Sequence, residues 1–184
     1  MFARTPRLLL RPGFPEDAPA LAAAIADKAI VTNLVAAPWP YRVRDAEAFL
    51  ASPRDPVLPS FLIFERTVGA PQLVGSCGLG RRPSGAVEMG YWIAHAHWGR
   101  GIATEACTAL IAIARTLDLA SLEGSHFLDN PASGRVLEKL GFEAIGIVAP
   151  RMSCARGTEV PARLMRLRLK ADVSAEAGAE ALAA

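Results

Sequence analysis

From Gly101 to Leu117 the small and apolar residues Ala103, Ala106, Leu110, Ile113, Ala114 and Leu117 recur mainly at intervals of three and four, the period of an amphipathic helix. Upstream the pattern differs. Phe61–Arg66, Gln72–Leu79 and Val87–Ala94 read as three strands, and their short connections, Gly69-Ala70-Pro71 and 81–85, predict an antiparallel meander. A strand over Arg7–Arg11 and a turn over Pro12–Pro15 lead into an alanine-rich helix that ends before Val31, with Pro15 and Pro19 confined to its first turn or ahead of it. Pro38 and Pro40 make Val35–Tyr41 a loop, and a short helix over Asp45–Leu50 follows. Beyond the amphipathic helix the chain predicts a strand over Leu122–Phe127 and a helix over Pro131–Leu140 stopped by Gly141. Strands near Ile145 and over Arg163–Leu169 complete the set. The sum is a mixed α/β (α+β) fold, a mostly antiparallel sheet flanked by helices.

At 184 residues the chain is expected to form one domain over 1–170, and the Ala/Glu stretch 171–184 to be a flexible or helical tail. No apolar run approaches the roughly 20 residues of a membrane span, and the run Leu8–Leu10 is too short for a signal peptide, so a cytoplasmic, membrane-free protein is expected. The net charge of +2 is dispersed, with no basic block for nucleic acid. Cys77, Cys107 and Cys154 are odd in number and far apart, which argues against disulfides and metal; each is expected to be a small buried hydrophobe. No His, Cys and carboxylate spacing suggests a metal site.

The most informative stretch is His97-Trp98-Gly99-Arg100-Gly101-Ile102-Ala103-Thr104, between a strand end and a helix start. Glycines allow a tight turn and close approach of a ligand, and the unpaired amides of a first helical turn attract anions such as pyrophosphate. Glycine in such a turn also has a purely geometric reading. The lysine and hydroxyl of a nucleoside-triphosphate loop are missing. Thr104 stands where a dinucleotide loop has its third glycine, although Asp118 keeps a ribose-binding acid in view.

The string Tyr91-Trp92-Ile93-Ala94 followed by Trp98-Gly99-Arg100-Gly101-Ile102-Ala103-Thr104-Glu105-Ala106 resembles the acetyl-CoA signature of GNAT acetyltransferases, and within them the ribosomal-protein-alanine N-acetyltransferase group. The block 130–142, with Asn130, Ser133, Val136-Leu137-Glu138-Lys139 and Gly141-Phe142, is similar to a second motif of that group. Thr5–Pro12 and Pro38–Tyr41 with Asp45–Phe49 add weaker matches. The resemblance implies a splayed strand pair at an acetyl-CoA cleft, with the amides from Gly99 to Thr104 holding the pyrophosphate and Arg100 adding charge. Trp98 departs from the superfamily at the first place of the signature. Backbone groups of Trp92, Ile93 and Ala94 would meet the acetyl group and pantetheine, with Asn130 adding a pantetheine contact.

Acetyl transfer to an amine needs a neutral amine, a stabilised oxyanion and a proton for the departing thiolate. The tyrosine that many members place seven residues after the asparagine is Leu137 here. Ser133 matches the serine that serves as general acid in the ribosomal-protein group, and its bland alternative is a helix cap. Glu88, on one strand face with Gly90 and Trp92, is the candidate base through water or else a solvated carboxylate, and His95 ranks below it. Trp39 and Tyr41 are candidates for the acceptor wall or for core packing. The expected acceptor is a primary amine, with a protein N-terminal alanine or serine, an antibiotic and a small metabolite all open. A non-catalytic acetyl-CoA sensor is the competing class, and a homodimer stays open.

Overall fold

The computed structural model describes residues 1–170. The expected tail lies outside them. Among the described residues eight strands form one sheet: β1 (Ala3–Arg4), β2 (Leu8–Arg11), β3 (Ser60–Glu65), β4 (Gln72–Arg81), β5 (Val87–Ile93), β6 (Ser121–Phe127), β7 (Glu143–Ser153) and β8 (Thr158–Arg168), in the order β1-β2-β3-β4-β5-β6-β8-β7. The helices are α1 (Ala18–Ile25), α2 (Lys28–Val31), α3 (Val43–Ala51), α4 (Ile102–Thr116) and α5 (Pro131–Lys139).

Strand alternation sorts the side chains between two apolar layers. Leu8, Leu10, Phe61, Ile63, Met89 and Ile93 pack in one cluster with Ile102, Ala106 and Leu110 of α4 and Leu137 of α5. The intervening residues Leu9, Leu62, Phe64 and Trp92 pack with Leu21 of α1 and Ala46 of α3 in another. Full burial of a Leu, Ile or Phe contributes on the order of 1.5–3 kcal/mol, so a one-residue slip that exchanged these faces would be strongly penalised. One irregularity is used: Ile63 opposes Gly75 and Phe64 opposes Leu73, leaving Val74 as an extra residue. This bulge lets Leu73 join the α1/α3 layer while Cys77 and Leu79, at even spacing from it, join the α4 layer.

β5 lies along β4 from Val87 to Ile93, but pairs with parallel β6 only at Glu88↔Glu123. β6 then follows β8 over its whole length, Ser121↔Arg168 to Phe127↔Ala162. Towards the end of β5 the two strands therefore part, leaving a slot through the sheet between β5 and the β6–α5 unit. The meander, the glycine loop and the splay agree with the sequence-based expectation.

Four details differ. The alanine-rich helix is broken into α1 and α2 because Asp27 is extended (φ −129°) and its carboxylate accepts the Ala29 amide at 2.8 Å, an N-cap that starts a new helix. β7 and β8 are much longer than expected, since Pro150 and Pro161 oppose each other in the ladder rather than ending it. The short β1 had no pattern to announce it. Cys77 and Cys107 are buried as expected, whereas Cys154 is exposed, because it sits in the turn between β7 and β8.

That turn reaches back 121 residues: the Ser153 hydroxyl donates to Thr32 O at 3.1 Å, Arg156 Nε to the same oxygen at 2.8 Å, and the Cys154 amide to Val35 O at 3.0 Å.

Gly75 is fixed by the approach of β5, since a Cβ there would lie 2.3 Å from the Trp92 carbonyl oxygen. Gly75→Ala is expected to lower stability by about 1–3 kcal/mol through a backbone clash. Gly80→Ala, where a Cβ meets nothing within 4 Å, is expected to be neutral within about 0.5 kcal/mol. Urea unfolding of the two variants checks this.

Candidate active site

Gly99 and Gly101 both adopt positive φ, 73° and 75°, so the turn from β5 into α4 requires residues without a Cβ penalty. Gly101 caps α4, and the first α-helical hydrogen bond runs from the Glu105 amide to Gly101 O at 3.0 Å. The amides of Ile102, Ala103 and Thr104 thus precede the helical ladder at the positive end of a 15-residue helix. An anion is the natural complement of this cradle.

Arg100 does not aim its charge there freely. Its guanidinium pairs with both Glu65 oxygens and donates to His97 Nδ1 at 2.8 Å, which makes that nitrogen an acceptor. A second arginine, missed in the sequence, does reach the loop: Arg7 donates to Arg100 O at 3.0 Å and pairs with Glu105 at 2.7 Å. Thr5 also donates to Glu105, at 2.6 Å, so the turn between β1 and β2 is tied to the first turn of α4. The only sequence signal was position within the Thr5–Pro12 match.

Trp98 turns its indole back, donating Nε1–H to Ile93 O at 2.7 Å, and stacks on His95 with centroids 4.3 Å apart. It fastens the loop to the strand end. The Ala94 amide donates to Val74 O at 2.8 Å, so Ala94 faces β4, and by alternation Trp92 does too. Of the three residues expected to offer backbone to the slot, Ile93 does so, with its carbonyl already engaged by Trp98. Tyr91, two residues back, shares its orientation.

Across the slot, Asn130 caps α5, its side-chain oxygen accepting the Ser133 amide at 3.3 Å. The Ser133 hydroxyl is therefore not the cap. It lies 2.8 Å from the hydroxyl of Tyr91, which also donates to Ser133 O at 3.1 Å. Leu137 is 1% exposed and belongs to the core.

Both residues line a cleft of about 850 Å³ that also exposes Tyr41, Trp92, Glu88, His126, Asn130 and Arg151. Trp39 is outside this lining and 42% exposed, so of the two candidate aromatics only Tyr41 lines the cleft. Burial, aided by the charge of Asp45, pushes the Tyr41 phenol up to about 12, so it is neutral. Glu88 lies in the cleft wall but is not a free carboxylate: Arg151 grips both its oxygens and Ser125 donates at 3.1 Å. Burial alone would raise its pKa, but the Arg151 hydrogen bond and charge, with Arg82 and Ser125, outweigh burial and hold it below the ordinary value. His126 Nδ1 contacts Phe127 O at 2.9 Å, which fixes the proton on that nitrogen, and its ring fills the space left by the missing Cβ of Gly134. His95 is exposed and paired with Asp27 at 2.7 Å, away from the cleft lining.

The dinucleotide reading loses its acid. Asp118 follows the far end of α4, roughly 22 Å from the glycine loop along the helix axis, with an 84% exposed side chain paired to Lys170.

Residues 7–143 match the family described as Acetyltransferase (GNAT) domain. The uncharacterized N-acetyltransferase p20 of Bacillus licheniformis is 32% identical over 80 residues, 42% of this chain and 45% of that protein, so the match spans under half of that relative's length. The crystal structure of the acetyltransferase from Agrobacterium tumefaciens str. C58 is 26% identical, with a TM-score of 0.70 over 91% of this chain and 94% of that one. RimL, the ribosomal L7/L12 alpha-N-protein acetyltransferase solved with coenzyme A, is 20% identical, with a TM-score of 0.75 over 94% of this chain and 100% of that one; at this identity the likeness is one of fold. With the glycine cradle, the splayed strands and a family match over most of its length, this chain belongs to the GNAT acetyltransferases.

Proposed function

We propose that this chain transfers the acetyl group of acetyl-CoA directly to a primary amine, with Ser133 as the proton donor to the departing thiolate. The observation that carries the reading is the placement of the Ser133 hydroxyl beside the splayed strands, free of capping duty and lining the cleft. The amides opening α4 would hold the pyrophosphate, with Arg7 joining Arg100 as a source of positive charge near the loop. The Ile93 N–H, on the slot side of β5, is the backbone donor for the oxyanion. In this reading Glu88 anchors Arg151 instead of serving as base, because a carboxylate already gripped by an arginine has little affinity for a further proton. The amine then arrives neutral or loses its proton to water. Among acceptors, a peptide N-terminus is favoured by the likeness in fold to RimL and by the second motif around Asn130 and Ser133.

Calorimetric titration with acetyl-CoA tests the cofactor half. The wild type is expected to bind, and Gly101→Asp to lose binding, since the new residue would need positive φ and would carry a negative charge into the cradle. NADH is expected not to bind; acetyl-CoA failing to bind would sink the reading. Ser133→Ala is expected to lower kcat by about 10²-fold while acetyl-CoA affinity holds, measured as thiol release against peptides beginning with alanine or serine.

Glu88 makes a pH prediction. Its folded pKa is depressed, so its contribution to stability is present above the unfolded value of about 4.3 and is lost as pH falls through the folded value. Glu88→Gln is expected to destabilise the protein at pH 7 by on the order of 1–3 kcal/mol, leaving Arg151 without its anion. The gap between variant and wild type should narrow below pH 4, followed by thermal unfolding across pH.

A further inference from the structure

Tyr91 makes two contacts with one residue, to Ser133 Oγ at 2.8 Å and Ser133 O at 3.1 Å. A carbonyl only accepts and a phenol has a single hydrogen, so Tyr91 donates to the carbonyl and its oxygen is left to accept the serine hydrogen. The alternation that sends Glu88 and Trp92 to one face of β5 sends Met89, Tyr91 and Ile93 to the other, towards α4 and α5. From there the phenol reaches α5 where β5 and β6 have parted, beside the cleft.

We propose that Tyr91 is the positioning residue of Ser133, aligning its hydroxyl and replacing its proton as the serine delivers one to the thiolate. This rests on the reading of Ser133 as proton donor. A serine hydroxyl is about as weak an acid as water, so a serine that gave up its proton alone would be left as a costly alkoxide in a half-buried slot. Burial raises the Tyr91 phenol, yet a phenol remains the stronger acid of the two. The protons balance. The thioester C–S bond breaks with its electron pair passing to sulfur, and the Ser133 hydroxyl swings its hydrogen from the Tyr91 oxygen to sulfur, which takes it. Ser133 Oγ takes the Tyr91 hydrogen as the phenol turns from the carbonyl to the hydroxyl. The phenolate recovers, directly or through water, the proton shed by the acceptor nitrogen as the amide forms. The core residue Leu137 takes no part in this arrangement.

The test is thiol release from saturating acetyl-CoA, measured both with a hexapeptide beginning with alanine and with water as the only acceptor, for Tyr91→Phe, Ser133→Ala and the double variant. The phenylalanine variant keeps the ring and is expected to show unchanged circular dichroism and KM for acetyl-CoA, with kcat about tenfold lower. The double variant is expected to be no slower than Ser133→Ala. In a Ser133→Cys background, where the thiol is acid enough to donate unaided, Tyr91→Phe should cost less than twofold. A wild-type kcat in Tyr91→Phe, with Ser133→Ala impaired, would overturn the role of Tyr91 and leave the serine in place. Losses that multiply in the double variant would also overturn the pair, and a wild-type rate in Ser133→Ala would remove the serine donor and this proposal together.

Discussion

Parallel strands that lie side by side form a continuous ladder, and the architecture of this protein turns on the point where β5 and β6 stop doing so. After Glu88↔Glu123 the edge of β5 faces a gap instead of a partner. Backbone groups away from water need partners. Here one partner comes from an unusual source, the Trp98 indole donating to the Ile93 carbonyl, while the Tyr91 phenol reaches across the gap to the Ser133 carbonyl and hydroxyl on α5. The same parting that leaves backbone groups in search of partners opens the sheet to a ligand.

The gap stays open because its walls are held by charge and packing from distant segments. Glu88 on β5 grips Arg151 on β7, and Ser125 on β6 shares the contact, so three strands are coupled across the divergence. On the other side Arg7 and Thr5 fix Glu105 of α4, and Glu65 of β3 holds Arg100. The glycine loop and the start of α4 are therefore braced by the β1–β2 turn and by β3, which no local pattern would suggest. The loop's rigidity is a precondition for binding through amides, since such donors act only when preorganised.

The sequence made the frame legible where local rules apply: periodicity located α4, short turns gave the meander, and the paired glycines marked the strand-to-helix loop. It misled where a side chain's partner leaves no mark in the pattern of residues. Asp27 reads as one polar residue in an alanine-rich run, and only its bond to the Ala29 amide explains the broken helix. Glu88 looked like a free carboxylate, because Arg151, 63 residues away, carries no sign of its partner. Tyr91 was visible as part of a familiar string, yet its reach to Ser133 depends on β5 and α5 facing each other across a parted pair.

The contacts from the β7–β8 turn to Thr32 and Val35 join late chain to early chain. During synthesis the ribosome delivers the glycine loop, α4 and α5 well before residues 153–156 emerge. The segment around residues 32–35, which borders the cleft, cannot be clasped until that last hairpin has formed. Contacts of such long sequence separation form slowly, because loop closure precedes any gain. A nascent chain that ends before β8 therefore carries the glycine loop and α4 while the 32–35 edge of the cleft is still unclasped.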